Sequence, residues 1–164
     1  MKKIQVTQGN FALVDNADFK FLNQYRWCIL KSGNQLYARH SLPRINGKNK
    51  HILMHVLILD TPKGMDTDHK DGNGLNNQRK NLRICTRSEN QRNRGVQKGN
   101  IAGIKGVSLH RHNKKWTAQI CLNKKKVYLG SFDTKEKAGD AYRRVCIKYH
   151  GEYAKMEPSP TPVR

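Results

Sequence analysis

An acid and an imidazole stand side by side at Asp68-His69, and two amides follow: Asn81 twelve positions later and Asn90 nine beyond that. The run between them reads DHKDGNGLNNQRKNLRICTRSENQRN and contains a Gly-x-Gly-Leu-Asn-Asn turn. A carboxylate and an amide oxygen suit a hard divalent cation. A neutral imidazole takes a proton from water near pH 7, and a cation offsets charge on a phosphate. These residue types at this spacing therefore suit one-metal hydrolysis of a phosphodiester.

Such chemistry needs elements that bring the four positions together. Met65–Lys70 reads as a strand, Asp71–Lys80 as a Gly- and Asn-rich loop, and Leu82–Cys85 as the returning strand. Thr86-Arg87-Ser88-Glu89 is a capping box, so a helix starts at about Arg87 with Asn90 in its first turn. Adjacent residues on a regular strand face opposite ways. For Asp68 and His69 to share one phosphate, the strand must twist or end there, which Gly72-Asn73-Gly74 just beyond permits. Asn76 and Asn77 are expected to hold the loop through its backbone. Arg83, Arg87, Arg92 and Arg94 fall around the helix as candidate phosphate clamps.

These residues resemble the HNH endonucleases, specifically the homing-type branch of phages and bacteria, over about residues 52–94. The resemblance implies a ββα-metal core in which Asp68 and Asn90 hold one divalent cation, magnesium or manganese. It further implies that His69 is the general base and that Asn81 braces the loop orienting it. A His also recurs in similar proteins where His55 stands, in a packed, phosphate-contacting or catalytic role.

Upstream, residues 3–14 read as a hairpin about Gln8-Gly9-Asn10, and Asp15-Asn16-Ala17-Asp18 offers caps for a helix through about Tyr25, with Phe19 and Leu22 on one face. Trp27–Leu30 and Leu36–His40 form a strand pair turning at Ser32-Gly33-Asn34. A turn at Asn46-Gly47-Lys48 leads into the apolar stretch His51–Leu59. This β-rich segment is read as a scaffold, with phosphate contacts at most from Arg39, Arg44, Lys48 and Lys50.

Residues 95–103 read as a Gly-rich linker. Beyond it come three strands, about Gly106–His110, Lys115–Leu122 and Lys125–Phe132, with Asn123-Lys124 at the second turn. A helix opens at Asp133-Thr134, and its apolar stripe is Ala138, Ala141, Tyr142, Val145, Cys146 and Tyr149. Gly151 closes it. Trp116, Ala118, Ile120, Leu122, Val127 and Leu129 should pack on that helix. Thr117, Gln119, Cys121, Lys126 and Tyr128 then face outward, toward a DNA groove. The stretches KGVSLHRHNKKWTAQI, KKVYLGSFDTKEKAGDAY and IKYHGEYA resemble the plant Apetala-two/ethylene-response-factor DNA-binding domain. That adds Lys105, Ser108 and His110 to the expected contacts. Plant members put arginines on this surface where this chain has Ser108 and Cys121, so their target does not carry over.

The expected fold class is α+β: a nuclease domain at 1–94, a linker at 95–103, a DNA-binding domain at 104–156 and a disordered tail at 157–164. Lys plus Arg total 32 against 12 acidic residues, a formal charge of +20. Residues 1–94 carry 17 basic and 7 acidic residues and residues 95–164 carry 15 and 5, so both parts should touch the same polyanion. Cys28, Cys85, Cys121 and Cys146 form no C-x-x-C pair; structural zinc is not expected, and a reduced cytosolic setting fits. No run is apolar enough to span a bilayer. Together these readings give a metal-dependent, site-specific endonuclease acting on double-stranded DNA in a bacterial cytoplasm, phage-encoded by resemblance. No membrane association or obligate protein partner is evident. The alternative is a non-catalytic transcription regulator that uses the C-terminal domain alone.

Overall fold

A computed structural model describes residues 1–45, 47–96, 99–122 and 125–154, with the side chain of Ile45 excepted. The expected turn at Asn123-Lys124 and the tail at 157–164 lie outside the described residues. The chain divides into two compact units, Met1–Gln91 and Arg92–Arg164. Both are mixtures of helix and small antiparallel sheets, an α+β architecture.

The first unit opens with strands β1 (Lys2–Gln5) and β2 (Phe11–Val14), paired with Lys2 opposite Val14. Gln8 and Gly9 both take positive φ in the turn between them. Helix α1 covers Asn16–Leu22 and stops short of Tyr25. Asp15 stands at its N-cap but makes no side-chain cap. Its carboxylate instead accepts from the Arg79 N–H (2.8 Å) and from Gln78, residues on the far side of the motif. Arg79 also forks onto Asp18 at 2.9 and 2.7 Å.

Strands β3 (Cys28–Ser32), β4 (Gln35–Ile45) and β5 (Lys48–Leu53) make a meander. The apolar stretch 51–59 is not one element. It finishes β5 and then turns into helix α2 (Met54–Leu59), closed by Asp60 in the left-handed region. Strands β6 (Asp66–His69) and β7 (Leu82–Cys85) pair with Asp68 opposite Arg83, and helix α3 runs from Arg87 to Arg92. Its capping box forms as the sequence indicates. The Thr86 N–H donates to Glu89 Oε2 at 2.8 Å, and the Glu89 N–H donates to Thr86 Oγ1 at 3.3 Å.

Ile4, Val6, Ala12, Val14, Leu22, Trp27, Ala38, Met54, Ile58 and Leu82 share a single core. The scaffold and the β6–β7 motif are therefore one packed body. The loop after β6 is also stitched to β2: the Leu13 N–H donates to Leu75 O and the Asn77 N–H to Leu13 O, each at 2.8 Å. Gly74 permits the close approach. A Cβ there would lie 2.4 Å from Leu36 O and 2.6 Å from the Tyr37 ring.

In the second unit strands β8 (Val107–Leu109), β9 (Trp116–Leu122) and β10 (Lys125–Phe132) form a sheet in the order β10-β9-β8. Helix α4 (Lys135–His150) covers one face and is capped by Thr134 Oγ1, which accepts from the Lys137 N–H. Three expectations are corrected here. Ala102 is buried in this core and Asn100 braces the turn ahead of it, so residues 100–103 belong to the module rather than to a free linker. Val127, on the edge strand, remains 39% exposed. Tyr149 is 55% exposed, and His150 is buried in its place. Finally, the buried positions Ala138, Tyr142, Cys146 and His150 recur every fourth residue. That is the row a helix presents to a surface crossed at an angle.

Candidate functional site

Asp68 and His69 occupy the last two positions of β6, and each is only 5% exposed. The strand ends there, as the adjacency of the two side chains requires. The Gly72 N–H turns back to His69 O at 2.8 Å, and Lys70 N–H donates to Asn81 O at 2.9 Å. Asp68 looks across the ladder to Arg83 and His69 looks into the loop.

The loop is held by a closed set of polar contacts. Asn81 Nδ2 donates to Asp71 Oδ1 (2.9 Å) and to Asn76 O (2.8 Å), and Asn81 Oδ1 accepts from the Asp71 N–H (3.1 Å). Asn76 Nδ2 donates to Asp71 Oδ2 at 2.7 Å. Burial pulls the Asp71 carboxyl upward, but hydrogen bonds from the Asn73 N–H, Asn76 and Asn81 outweigh it and hold it below its ordinary value. Asp71 thus stays an anion that fastens three asparagines.

Asn77 has a different role from the one expected. Its side chain is fully buried and its Oδ1 lies 3.2 Å from His69 Nε2, so it fixes the imidazole rather than the loop backbone. With that oxygen accepting, the proton sits on Nε2 and the lone pair on Nδ1. Burial holds the His69 ring below the ordinary imidazole value. The Asn77 contact, Asp71 and Asp68 act the other way without cancelling that effect. The ring is therefore neutral at pH 7.

Two further rings reach His69 from the scaffold. His55, on α2, meets it edge to face with centroids 4.8 Å apart, and Tyr37, on β4, lies 6.0 Å away. His55 is buried, and its Nδ1 has no hydrogen-bond partner among the described residues. Burial, and then the charge of His69, pushes its pKa down to about 3. The sequence singles out His55 without a role. It carries no local signal for Tyr37, which stands far upstream on a strand read as scaffold.

Asn90, in the first turn of α3, donates from Nδ2 to Asp66 Oδ2 at 2.9 Å. Asp66, which the sequence reading passed over, lies two residues before Asp68 on the same face of β6. Its contact with the amide nitrogen leaves the amide oxygen as the atom offered elsewhere. The donor set of a carboxylate and an amide oxygen fits a hard divalent cation with water and phosphate completing the shell. Among the described residues no group of three or more His, Cys, Asp or Glu is arranged to hold an ion.

Arg83 was expected at a phosphate, yet its guanidinium is buried against Asp68, with Nε at 2.9 Å and Nη2 at 2.7 Å from Oδ2. Arg87 and Arg94 are exposed and Arg92 is half-buried. The Lys105 ammonium donates to the carbonyls of Arg92 and Arg94 at 2.5 and 2.6 Å.

The other expected contacts lie together on the uncovered face of the second unit's sheet. Gln119 pairs with Tyr128, Cys121 with Lys126, and Ser108 with Thr117, whose hydroxyls are 3.0 Å apart. His110 is exposed just past β8. No helix among the described residues is long and apolar enough to cross a membrane.

Comparison with known proteins follows the same division. The family model for HNH endonucleases matches residues 60–92, the span that holds Asp68, His69, Asn81 and Asn90. Protein 3.8 of Escherichia phage T7 is 34% identical over 95 residues, covering 58% of this chain and 78% of that protein. An uncharacterized HNH endonuclease of Acanthamoeba polyphaga mimivirus is 26% identical over 149 residues, 90% of this chain and 74% of its own length. An ethylene-responsive transcription factor of Arabidopsis thaliana is 37% identical over 62 residues, which is 37% of this chain but 14% of the plant protein. With the ββα motif, its buried imidazole and these relatives together, the chain belongs to the HNH endonuclease family and is a nuclease with a partial C-terminal likeness to Apetala-two-type factors.

Proposed function

We propose that this nuclease is a metal-dependent, site-specific endonuclease of the homing type, which hydrolyses phosphodiester bonds in double-stranded DNA inside a host cell. The observation that carries the reading is His69: a buried, neutral imidazole beside a carboxylate, with its tautomer set by Asn77 Oδ1.

His69 Nδ1 takes the proton from the attacking water, and Asn77 keeps the ring from rotating away. Asn81 and Asp71 hold the loop that positions Asn77. Asp68 and the Asn90 amide oxygen would hold a divalent cation, magnesium or manganese, with Asp66 fixing the amide's orientation. When bound, that cation supplies charge neutralisation at the phosphate and at the leaving 3′ oxygen. The exposed sheet face of the second unit, centred on Gln119, Cys121, Lys126 and Tyr128, contributes to the choice of site. Its likeness to a plant transcription factor and the chain's +20 charge support that assignment.

A randomised duplex library incubated with the full chain and magnesium, followed by sequencing of the cut ends, tests this directly. Ends sharing a common flanking sequence are expected, on one strand or both, and chelator should stop cutting without releasing DNA. Ends scattered without consensus would overturn site specificity. Undiminished cutting in chelator would overturn the metal.

A further inference from the structure

Arg83 and Asp68 face each other across the β6–β7 ladder, and both side chains lie within the fold, 9% and 6% exposed. Two guanidinium N–H groups converge on the same oxygen, Oδ2. A buried carboxylate without a counter-charge is strongly destabilising, and Arg83 supplies that counter-charge to Asp68 inside the protein. A divalent cation on Asp68 changes that balance, since two positive groups then crowd one carboxylate. The arginine is also the side chain whose planar fork matches a phosphate as well as it matches a carboxylate.

We propose that Arg83 is a stand-in for the cation: it holds the Asp68 carboxylate in place before metal arrives, yields Oδ2 as metal binds, and turns its guanidinium to the scissile phosphate. This rests on the reading of Asp68 as a metal ligand. Its consequence is that metal affinity in the absence of DNA is held down by the protein's own side chain. The cation then binds well only when a phosphate is present to receive the arginine. Arg83 is in this sense a positioning residue whose charge is handed from carboxylate to substrate.

The test is a manganese titration of the full chain without DNA, with free Mn²⁺ read by electron paramagnetic resonance. The guanidinium and a cation compete for the same oxygen, Oδ2, so the cation must displace two charge-assisted hydrogen bonds. Arg83→Gln should therefore bind Mn²⁺ about tenfold more tightly than the wild type, while its single-turnover cleavage at saturating Mn²⁺ falls. Arg83→Lys, which keeps the charge and loses the fork, guards against misfolding of the first variant. It should fold, bind Mn²⁺ more tightly than the wild type but less tightly than Arg83→Gln, and cleave more slowly at saturation. Unchanged or weaker Mn²⁺ affinity in the folded variants would overturn the proposal. Asp68→Asn separates the two ideas. If it leaves wild-type Mn²⁺ binding intact, Asp68 is not a ligand and the underlying reading fails, whatever Arg83 does.

Discussion

In the first unit the polar residues that could do chemistry lie beneath the surface: Asp68, His69, Asn77 and Asn81 are all buried. In the second, Ser108, Gln119, Cys121, Lys126 and Tyr128 all stand in the open on an uncovered sheet. The backbone motifs are alike in both, short antiparallel strands followed by a helix with a threonine cap. What differs is which side of the sheet carries polar side chains and whether anything closes over them. A reacting group gains from fixed partners and a shifted pKa, which burial provides. A reading group must reach a groove, and burial would remove it from use.

Removing the buried base should break this contrast most severely. His69→Ala is expected to slow single-turnover cleavage at least about a hundredfold, the usual worth of a positioned base, while binding of uncut duplex stays within error. Near-wild-type cleavage by this variant would remove His69 from the mechanism.

Acid should also lower the stability of the first unit through its buried His55. His55 is held neutral in the fold, its pKa lowered from 6.5 to about 3. The unfolded chain therefore binds the extra proton first as pH drops through 6.5. Stability is full above that value and declines as pH falls toward 3. Between pH 6.5 and 5 the loss from this one group is roughly 2 kcal/mol. His55→Phe should flatten that part of the melting-temperature profile. A slope as steep as in the wild type would show that other groups govern it.

Asn77→Leu sharpens the comparison without deleting the base. Loss of one hydrogen bond, about 1 kcal/mol, should slow cleavage by about fivefold to tenfold. The acid limb of the pH–rate profile should also move lower, because the Asn77 contact raises the His69 pKa against the effect of burial. A slower rate with an unmoved limb would mean that Asn77 acts through the fold alone.

The smallest effects belong to the open face. Gln119→Ala and Lys126→Ala should each change the consensus at the cut site, with affinity falling a few-fold, because single exposed contacts are individually weak. Trp116→Phe should leave the consensus alone, since its ring packs with the core under α4. Identical consensus sequences from all three variants would remove the sheet from site choice.

The positions that the sequence makes legible are those governed by local rules. The spacing of Asp68, His69, Asn81 and Asn90 and the Thr86–Glu89 capping box depend on neighbours a few residues away. Residues 51–59 show the limit, because a short apolar run reads equally as strand or helix, and here it is one and then the other. Asn76 and Asn77 are adjacent and chemically identical. Only the path of the loop, fixed by its ladder to Leu13, decides that one binds Asp71 and the other His69. Tyr149 gives way to His150 because burial follows a fourth-residue row across the sheet, an angle that helical periodicity alone does not contain. Arg83 and Lys105 read as DNA contacts because basic residues usually are exposed, and the partners they meet here, Asp68 and the carbonyls of Arg92 and Arg94, are set by the fold and leave no local signal.

The ladder between Leu13 and the catalytic loop makes the motif hard to transplant. Residues 60–92, moved alone onto another protein, would leave behind Leu13, the Asp15 and Asp18 carboxylates that fasten Arg79, and the Tyr37 ring against which Gly74 rests. The loop would keep its asparagines and lose the wall that gives them their directions. Recombination that shuffles this activity between genes must therefore carry the amino-terminal strands along. Exchange is freer at the division between the two units, where a different second module could be joined and the nuclease unit inherited whole.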